Sequence, residues 1–247
     1  MTQPPMPEPA SYSFTVGDVE ATFSARSVDA EFGVPWTRRR ERPFLEDVVD
    51  ELDDGDVFWD IGANLGVFSC FAARKLSAGH VTAFEPYPPN VAQLQSNLSR
   101  NAAAEMYSVC SVALHNTTGT VEFKSPTPPT PGMQTGTIAP DAESIHVGCV
   151  DGDSLTEDGC VPHPTVVKLD VEGAEPFVLD GMEATLRREE CRSIYCEIHL
   201  PKDHGTRPAV QDYGETPEQL RERIDSFGFN VEYERERRSE LHIKATK

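Results

Sequence analysis

Residues 57–68 read Val57-Phe58-Trp59-Asp60-Ile61-Gly62-Ala63-Asn64-Leu65-Gly66-Val67-Phe68, an apolar strand that passes through a glycine-bearing turn into a helix. Gly62 and Gly66 let the backbone approach a ligand with no Cβ in the way, and the helix beyond them offers unpaired N–H groups to ligand oxygens. A strand, tight turn and helix in this order is a nucleotide-cofactor loop in its proper context, and it requires a parallel sheet around it.

The rest of the chain supplies that sheet. Apolar residues at helical spacing over 44–52 stop at Asp54-Gly55, and short buried strands then alternate with amphipathic helices. The spacing predicts strands over 57–61, 80–84, 107–112, 165–170 and 193–199, and helices over 64–76, 89–101, 175–187 and 216–227. An antiparallel pair over 230–235 and 240–245 closes the chain. Between 113 and 154 the rhythm breaks, with strands expected at 120–124 and 144–150 and a Pro/Thr-rich surface loop at 125–131. Ahead of the domain, alternation around Gly17-Asp18 over 11–25 predicts a β-hairpin. The expected organisation is an N-terminal extension, residues 1–43, and one α/β domain, residues 44–247.

With 22 basic against 41 acidic residues the formal charge is −19, and the acidic residues are spread along the chain rather than gathered in a tail. A surface of that sign repels nucleic acid and anionic membranes, so neither is an expected partner. A salt-adapted cytoplasm is the simplest setting, because dissolved salt screens the self-repulsion; an ordinary acidic enzyme is the alternative. No apolar run reaches the length of a membrane span, and the Pro-rich start lacks the layout of a secretory signal, so a cytoplasmic location is expected. The six cysteines form no C-x-x-C pair and read as reduced, structural thiols.

Asp60 helps to choose the cofactor. A carboxylate at the strand end suits the cationic amino-acid part of S-adenosylmethionine and would repel a pyrophosphate. A dinucleotide site also calls for G-x-G-x-x-G, whereas only Gly62 and Gly66 stand here, which leaves an NAD-dependent oxidoreductase as the alternative. At the end of the next strand, Glu85 lies 25 residues beyond Asp60, where an acid can accept hydrogen bonds from ribose hydroxyls.

Three segments in order, Asp60-Ile-Gly-Ala-Asn-Leu-Gly66, Ala83-Phe-Glu-Pro86 with Asn90, and Val167-Lys-Leu-Asp-Val-Glu-Gly-Ala-Glu175, resemble the FkbM methyltransferases. Smaller echoes are Ala113-Leu114, Asp153-Ser-Leu155 and Val178-Leu-Asp-Gly181. The resemblance covers about residues 44 to 200. It implies a Rossmann-like class I methyltransferase fold with a seven-stranded, mostly parallel sheet. It also implies methyl transfer from S-adenosylmethionine, typically to a hydroxyl of a sugar, glycan or secondary metabolite. Carried onto this chain, the cofactor would meet Asp60, Gly62, Asn64, Gly66, Phe68, Glu85, Pro86, Ala113 and Asp170. Residues 1–43 and 200–247 match no motif, so acceptor selection is expected there or in the 125–145 loop. A fold kept for binding without catalysis is the remaining alternative.

An alcohol acceptor must lose its proton as the methyl group arrives, so a general base is wanted. Asp170 and Glu172 follow one strand, while Glu197 and His199 share a face of the next by period-two alternation. His199 is the natural base at neutral pH. Lys168 is expected beside these acids, either in the chemistry or as their countercharge. The same groups could also hold a divalent cation, but positioning alone accounts for much of such an acceleration, and no metal is expected. The basic run Thr37-Arg38-Arg39-Arg40 reads as a solvated turn, or less readily as a hold on an anionic acceptor. Arg235 to Arg238 read as a charged hairpin tip. Oligomeric state is open.

Overall fold

The computed structural model describes residues 11–24, 34–125, 131–132, 143–201, 208–237 and 239–247. Strands β1 (Ser11–Val16) and β2 (Val19–Ser24) form the expected hairpin. Helices α1 (Val34–Arg40) and α2 (Arg42–Glu51) lead into β3 (Val57–Ile61), α3 (Val67–Lys75), β4 (His80–Phe84), α4 (Pro88–Asn101) and β5 (Tyr107–Cys110). Three further strands follow: β6 (Ala113–Leu114), β7 (Gly119–Ser125) and β8 (Glu143–Val150). After α5 (Gly152–Glu157) come β9 (Val166–Leu169), α6 (Glu175–Asp180), α7 (Glu183–Leu186) and β10 (Ser193–His199). Helix α8 (Pro217–Ser226), β11 (Asn230–Arg237) and β12 (Glu240–Thr246) end the chain.

The main sheet has seven strands in the order β11-β12-β10-β9-β3-β4-β5. The five strands from β10 to β5 are parallel, and β12 runs antiparallel to both β10 and β11. The α/β class and the Rossmann-like sheet predicted above are what the chain adopts. From β3 the chain builds outward through β4 and β5, then returns to lay β9 on the other side of β3. That reversal opens a crevice at the carboxyl ends of β3, β4 and β9, where sheets of this kind bind ligands.

Alternation along the strands divides the core into two layers. Phe58, Val81, Val166 and Tyr195 face one layer, shared with α2, α3 and the N-terminal hairpin. Trp59, Ile61, Val167, Leu169 and Ile194 face the other, with α6, α7 and α8. All seven residues of β10 are buried, as helices on both faces require. The hairpin is stitched to α4, because the Asn101 side chain accepts from Thr22 N–H and donates to Thr22 C=O, each at 2.8 Å. Phe14 and Phe23 pack on Phe71 of α3.

Some local readings are corrected. Thr37 to Arg40 lie in α1, a helix rather than a turn; the Arg38 guanidinium sits over the Tyr12 and Phe14 rings, and Arg39 Nε donates to Pro35 C=O. The single helix expected over 175–187 is two, broken at Gly181-Met182. A Cβ on Gly181 would lie 1.9 Å from the His115 carbonyl oxygen, so this close approach is open only to glycine. The second helix is held separately, because the Asp153 carboxylate accepts from the N–H groups of Ala184 and Thr185 at 2.9 and 2.7 Å. The interruption over 113–154 is a second, three-stranded sheet, order β6-β8-β7. Most of the 125–131 loop lies outside the described residues. Arg235 to Arg237 belong to β11 rather than to a hairpin tip.

Candidate functional site

A cavity of about 570 Å³ occupies the crevice, within the size range of small-molecule sites. Its floor is the turn after β3, with Gly62 and Asn64, and its flanks are Glu85-Pro86 after β4 and Asp170-Val171-Glu172 after β9. Gly62 has φ +78°, and a Cβ there would stand 1.8 Å from the Asp170 carbonyl oxygen. Only glycine lets the two strand ends meet. Asn64 is also left-handed, φ 51°, a conformation that Asn adopts more readily than most residues.

Glu85 is the buried carboxylate of the cavity. Its Oε2 accepts from Asn64 N–H and its Oε1 from Tyr87 N–H, both at 2.8 Å. Burial pushes its pKa from 4.5 up to about 7, against the lowering effect of those hydrogen bonds and of the Asn90 side chain. It is therefore a carboxylate fixed by backbone donors and poised near neutrality.

Of the residues expected at the site, Gly62, Asn64, Glu85, Pro86, Ala113, Asp170 and Glu172 line the cavity. Asp60, Gly66, Phe68, Lys168 and His199 do not; they form the layer behind it. Asp60 is fully buried. Its Oδ2 accepts from Ser69 N–H at 3.0 Å and from Ser69 Oγ at 2.5 Å, which anchors the first turn of α3. Direct contact between Asp60 and the cationic part of a ligand, as the sequence suggested, is thus replaced by a structural role. Gly66 has φ +79° and packs against Leu94. Phe68 lies in the core with its ring 5.1 Å from Lys168 Nζ.

Lys168 is the register partner of Asp60 across β9 and β3. Its Nζ lies 3.3 Å from Asp60 Oδ1 and 3.3 Å from Asp170 Oδ2, and donates to Gly62 C=O at 3.1 Å. Burial alone would lower its pKa, but Asp170 and Asp60 outweigh burial and hold it above the usual lysine value. Of the two roles considered, countercharge is the one this geometry supports.

His199 is completely buried. Its Nδ1 is 2.7 Å from Glu175 Oε1. Its Nε2 faces Glu172 Oε2 at 3.3 Å, Glu197 Oε1 at 3.5 Å and Asp170 Oδ1 at 3.6 Å. Burial works to lower its pKa, but Glu172 and Glu175 dominate and raise it to about 10. With Glu175 on Nδ1 and carboxylates of Glu172, Glu197 and Asp170 around Nε2, the ring sits among acids behind the cavity wall, not presented to an acceptor as the free base that the sequence suggested. Glu197 is also buried, and burial together with the Asp170 charge raises its pKa well above the carboxylate range. Its Oε2 pairs with His242 Nε2 at 2.9 Å.

The mouth of the cavity holds residues that the sequence did not single out. The rings of His115 and Phe177 stack at 4.6 Å, and Tyr213 meets Phe177 edge-on at 5.2 Å. Tyr213 is the one exposed large hydrophobic side chain among the described residues. Val121, Glu122, Phe123 and Lys124 of β7 also line the cavity, with Lys124 Nζ paired to Glu122 Oε1 at 3.2 Å. Asn90, quoted only for the resemblance, lines the cavity while its Oδ1 accepts from Gly132 N–H. No local pattern marks His115, Phe177 and Tyr213, because they meet only through three distant segments.

Comparison with known proteins agrees with this architecture. The model of the methyltransferase FkbM domain matches residues 60–231. The hexuronic acid methyltransferase AglP of Haloferax volcanii is 32% identical over 194 residues, 77% of this chain and 72% of that protein. The 31-O-demethyl-FK506 methyltransferase FkbM of Streptomyces tacrolimicus is 41% identical over 63 residues, 26% of this chain and 24% of that protein. The crystal structure of a precorrin-6y C5,15-methyltransferase from Geobacter metallireducens superposes with a TM-score of 0.50 at 16% identity, covering 83% of this chain and 88% of that one, a likeness of fold. These matches decide against the oxidoreductase reading: the chain belongs to the FkbM methyltransferase family.

Proposed function

We propose that this protein transfers a methyl group from S-adenosylmethionine to a hydroxyl oxygen of a sugar acid. The observation that carries the reading is the pair of strand-end acids, Glu85 and Asp170, on the two sides of the Gly62 turn. They stand there because β4 and β9 are the two neighbours of β3. Glu85, held by two backbone N–H groups, is suited to accept from a pair of ribose hydroxyls, and the donor, when bound, supplies a methyl group activated on a sulfonium. The buried carboxylate and the glycine turn against Asp170 fit such a group. Asp170 and Glu172 face the acceptor side, where a partly exposed carboxylate can take up the hydroxyl proton as attack proceeds. Lys168 holds Asp170 in place.

The acceptor class follows from the mouth. The row His115, Phe177 and Tyr213 offers aromatic rings to the apolar C–H face of a sugar, and Lys124, also in the lining and paired with Glu122 at 3.2 Å, would exchange that partner for an acceptor carboxylate. The hexuronic acid named for the Haloferax relative has both features. The test is transfer of a labelled methyl group from S-adenosylmethionine to free and lipid-linked hexuronic acids, with matched neutral hexoses as controls. Label held in an alkali-stable ether on the uronate supports the reading. Label released by mild alkali moves the acceptor atom to the carboxylate, and equal transfer to neutral hexoses removes the role of Lys124.

A further inference from the structure

Asp170, Glu172 and His199 each turn one ligand atom into the same small space at the carboxyl ends of β9 and β10, all within 4.8 Å of one another. We propose that this space is a divalent-cation site for an ion of the Mn²⁺ class, with Asp170, Glu172 and His199 Nε2 as its protein ligands. What the ion does there rests on the methyl-transfer reading above; that it binds does not. The proposal reverses the expectation of a metal-free site.

Buried His199 is the first ground. Its Nε2 makes no hydrogen bond, although carboxylate oxygens stand 3.3 to 3.6 Å away. Neighbouring ligands at right angles on an octahedral divalent ion with bonds of about 2.0–2.6 Å stand roughly 2.8–3.7 Å apart, a range that includes this spacing. The other ring nitrogen is the second ground. Metal-ligating histidines commonly give their remaining N–H to a carboxylate, which fixes the ring, and Glu175 does this at Nδ1 from a fully buried position.

The backbone is the third. Glu172 is held at φ 55°, a left-handed conformation that a non-glycine residue adopts at a cost. It is followed by Gly173 at φ +97°, whose missing Cβ lets Pro208 pack 2.9 Å from where it would be. This turn brings the Glu172 carboxylate back to His199 instead of continuing along the helix direction. Asp170 and Glu172 remain partly exposed, so an ion bound between them keeps an open side toward the cavity, as a catalytic rather than a structural site requires. Two carboxylates with one imidazole suit manganese better than the all-oxygen preference of magnesium or the imidazole- and thiolate-dominated sites of zinc. An acceptor hydroxyl on that open side would be oriented and made more acidic.

A second group within the same distance, Glu197, Glu240 and His242, supplies an internal control, since none of these three residues lines the cavity. The experiment is calorimetric titration of the chelator-stripped full chain with Mn²⁺, alongside titration with S-adenosylhomocysteine. One Mn²⁺ site in the wild type, weakened at least tenfold in Glu172→Gln and in His199→Ala but retained in Glu240→Gln, supports the proposal. Wild type that takes up no Mn²⁺, or a site indifferent to both ligand substitutions, overturns it and leaves a plain histidine–carboxylate cluster. Glu172→Gln is nearly isosteric, and unchanged melting in that variant separates a lost ligand from lost folding. Failure to bind S-adenosylhomocysteine counts against the cofactor reading and leaves the Mn²⁺ result standing.

Discussion

Glu85 makes the cofactor reading measurable as a function of pH. Burial raises its pKa to about 7 in the free protein, and a hydroxyl pair that donates to it is held best by the ionised form. At pH 6 only about a tenth of the groups are ionised and at pH 8 about nine-tenths, so affinity for S-adenosylhomocysteine should rise about tenfold, roughly 1.4 kcal/mol. The same shift fixes the sign for stability. Between 4.5 and about 7 the folded protein holds a proton that the unfolded chain has lost. This group's contribution is therefore complete below pH 4.5 and is lost as pH rises through about 7, up to about 3 kcal/mol in all. Glu85→Gln should abolish both slopes. It also leaves one of the N–H groups of Asn64 and Tyr87 without its acceptor, a pH-independent loss of about 1–3 kcal/mol. Calorimetry in buffers of differing ionisation heat, with thermal melts of both proteins from pH 5 to 8, reads the difference directly. A ligand affinity flat with pH, or an identical slope in the Gln variant, would refute the argument.

Gly62→Ala should unfold the protein or cost more than about 4 kcal/mol in a denaturant titration, since its Cβ would lie 1.8 Å from the Asp170 carbonyl. Lys168→Met leaves Asp60 and Asp170 without their shared cation and should destabilise by about 3–5 kcal/mol; melting within a degree of wild type would refute the countercharge role of Lys168. Phe177→Ala should raise the acceptor KM with S-adenosylhomocysteine affinity unchanged, because the ring belongs to the His115 and Tyr213 cluster proposed to meet the acceptor. With a net charge of −19, the melting temperature should climb from low salt to molar KCl, and a flat salt response would remove salt adaptation.

The sequence by itself determined the α/β class, the strands at Val57–Ile61, His80–Phe84 and Ser193–His199, and the turn that carries the site. Each of these is local: a period of two or of helical spacing, a stop at glycine, an acid at a strand end. It did not determine depth. Period-two alternation puts Asp60, Lys168 and His199 on recognisable faces, but whether a side chain meets the cavity or lies behind it depends on the neighbouring strand. The parallel register that pairs Asp60 with Lys168 closes the two on each other and leaves both buried behind the cavity lining. His115, Phe177 and Tyr213 are likewise joined only by tertiary packing, through the glycine contact at Gly181 that breaks the helix expected to be continuous. Glu172 is the sharpest case. Its sequence neighbours mark it as a strand-end acid, but the left-handed turn that returns it to His199 exists only because β9 and β10 lie side by side, with Glu175 fixing the ring from α6.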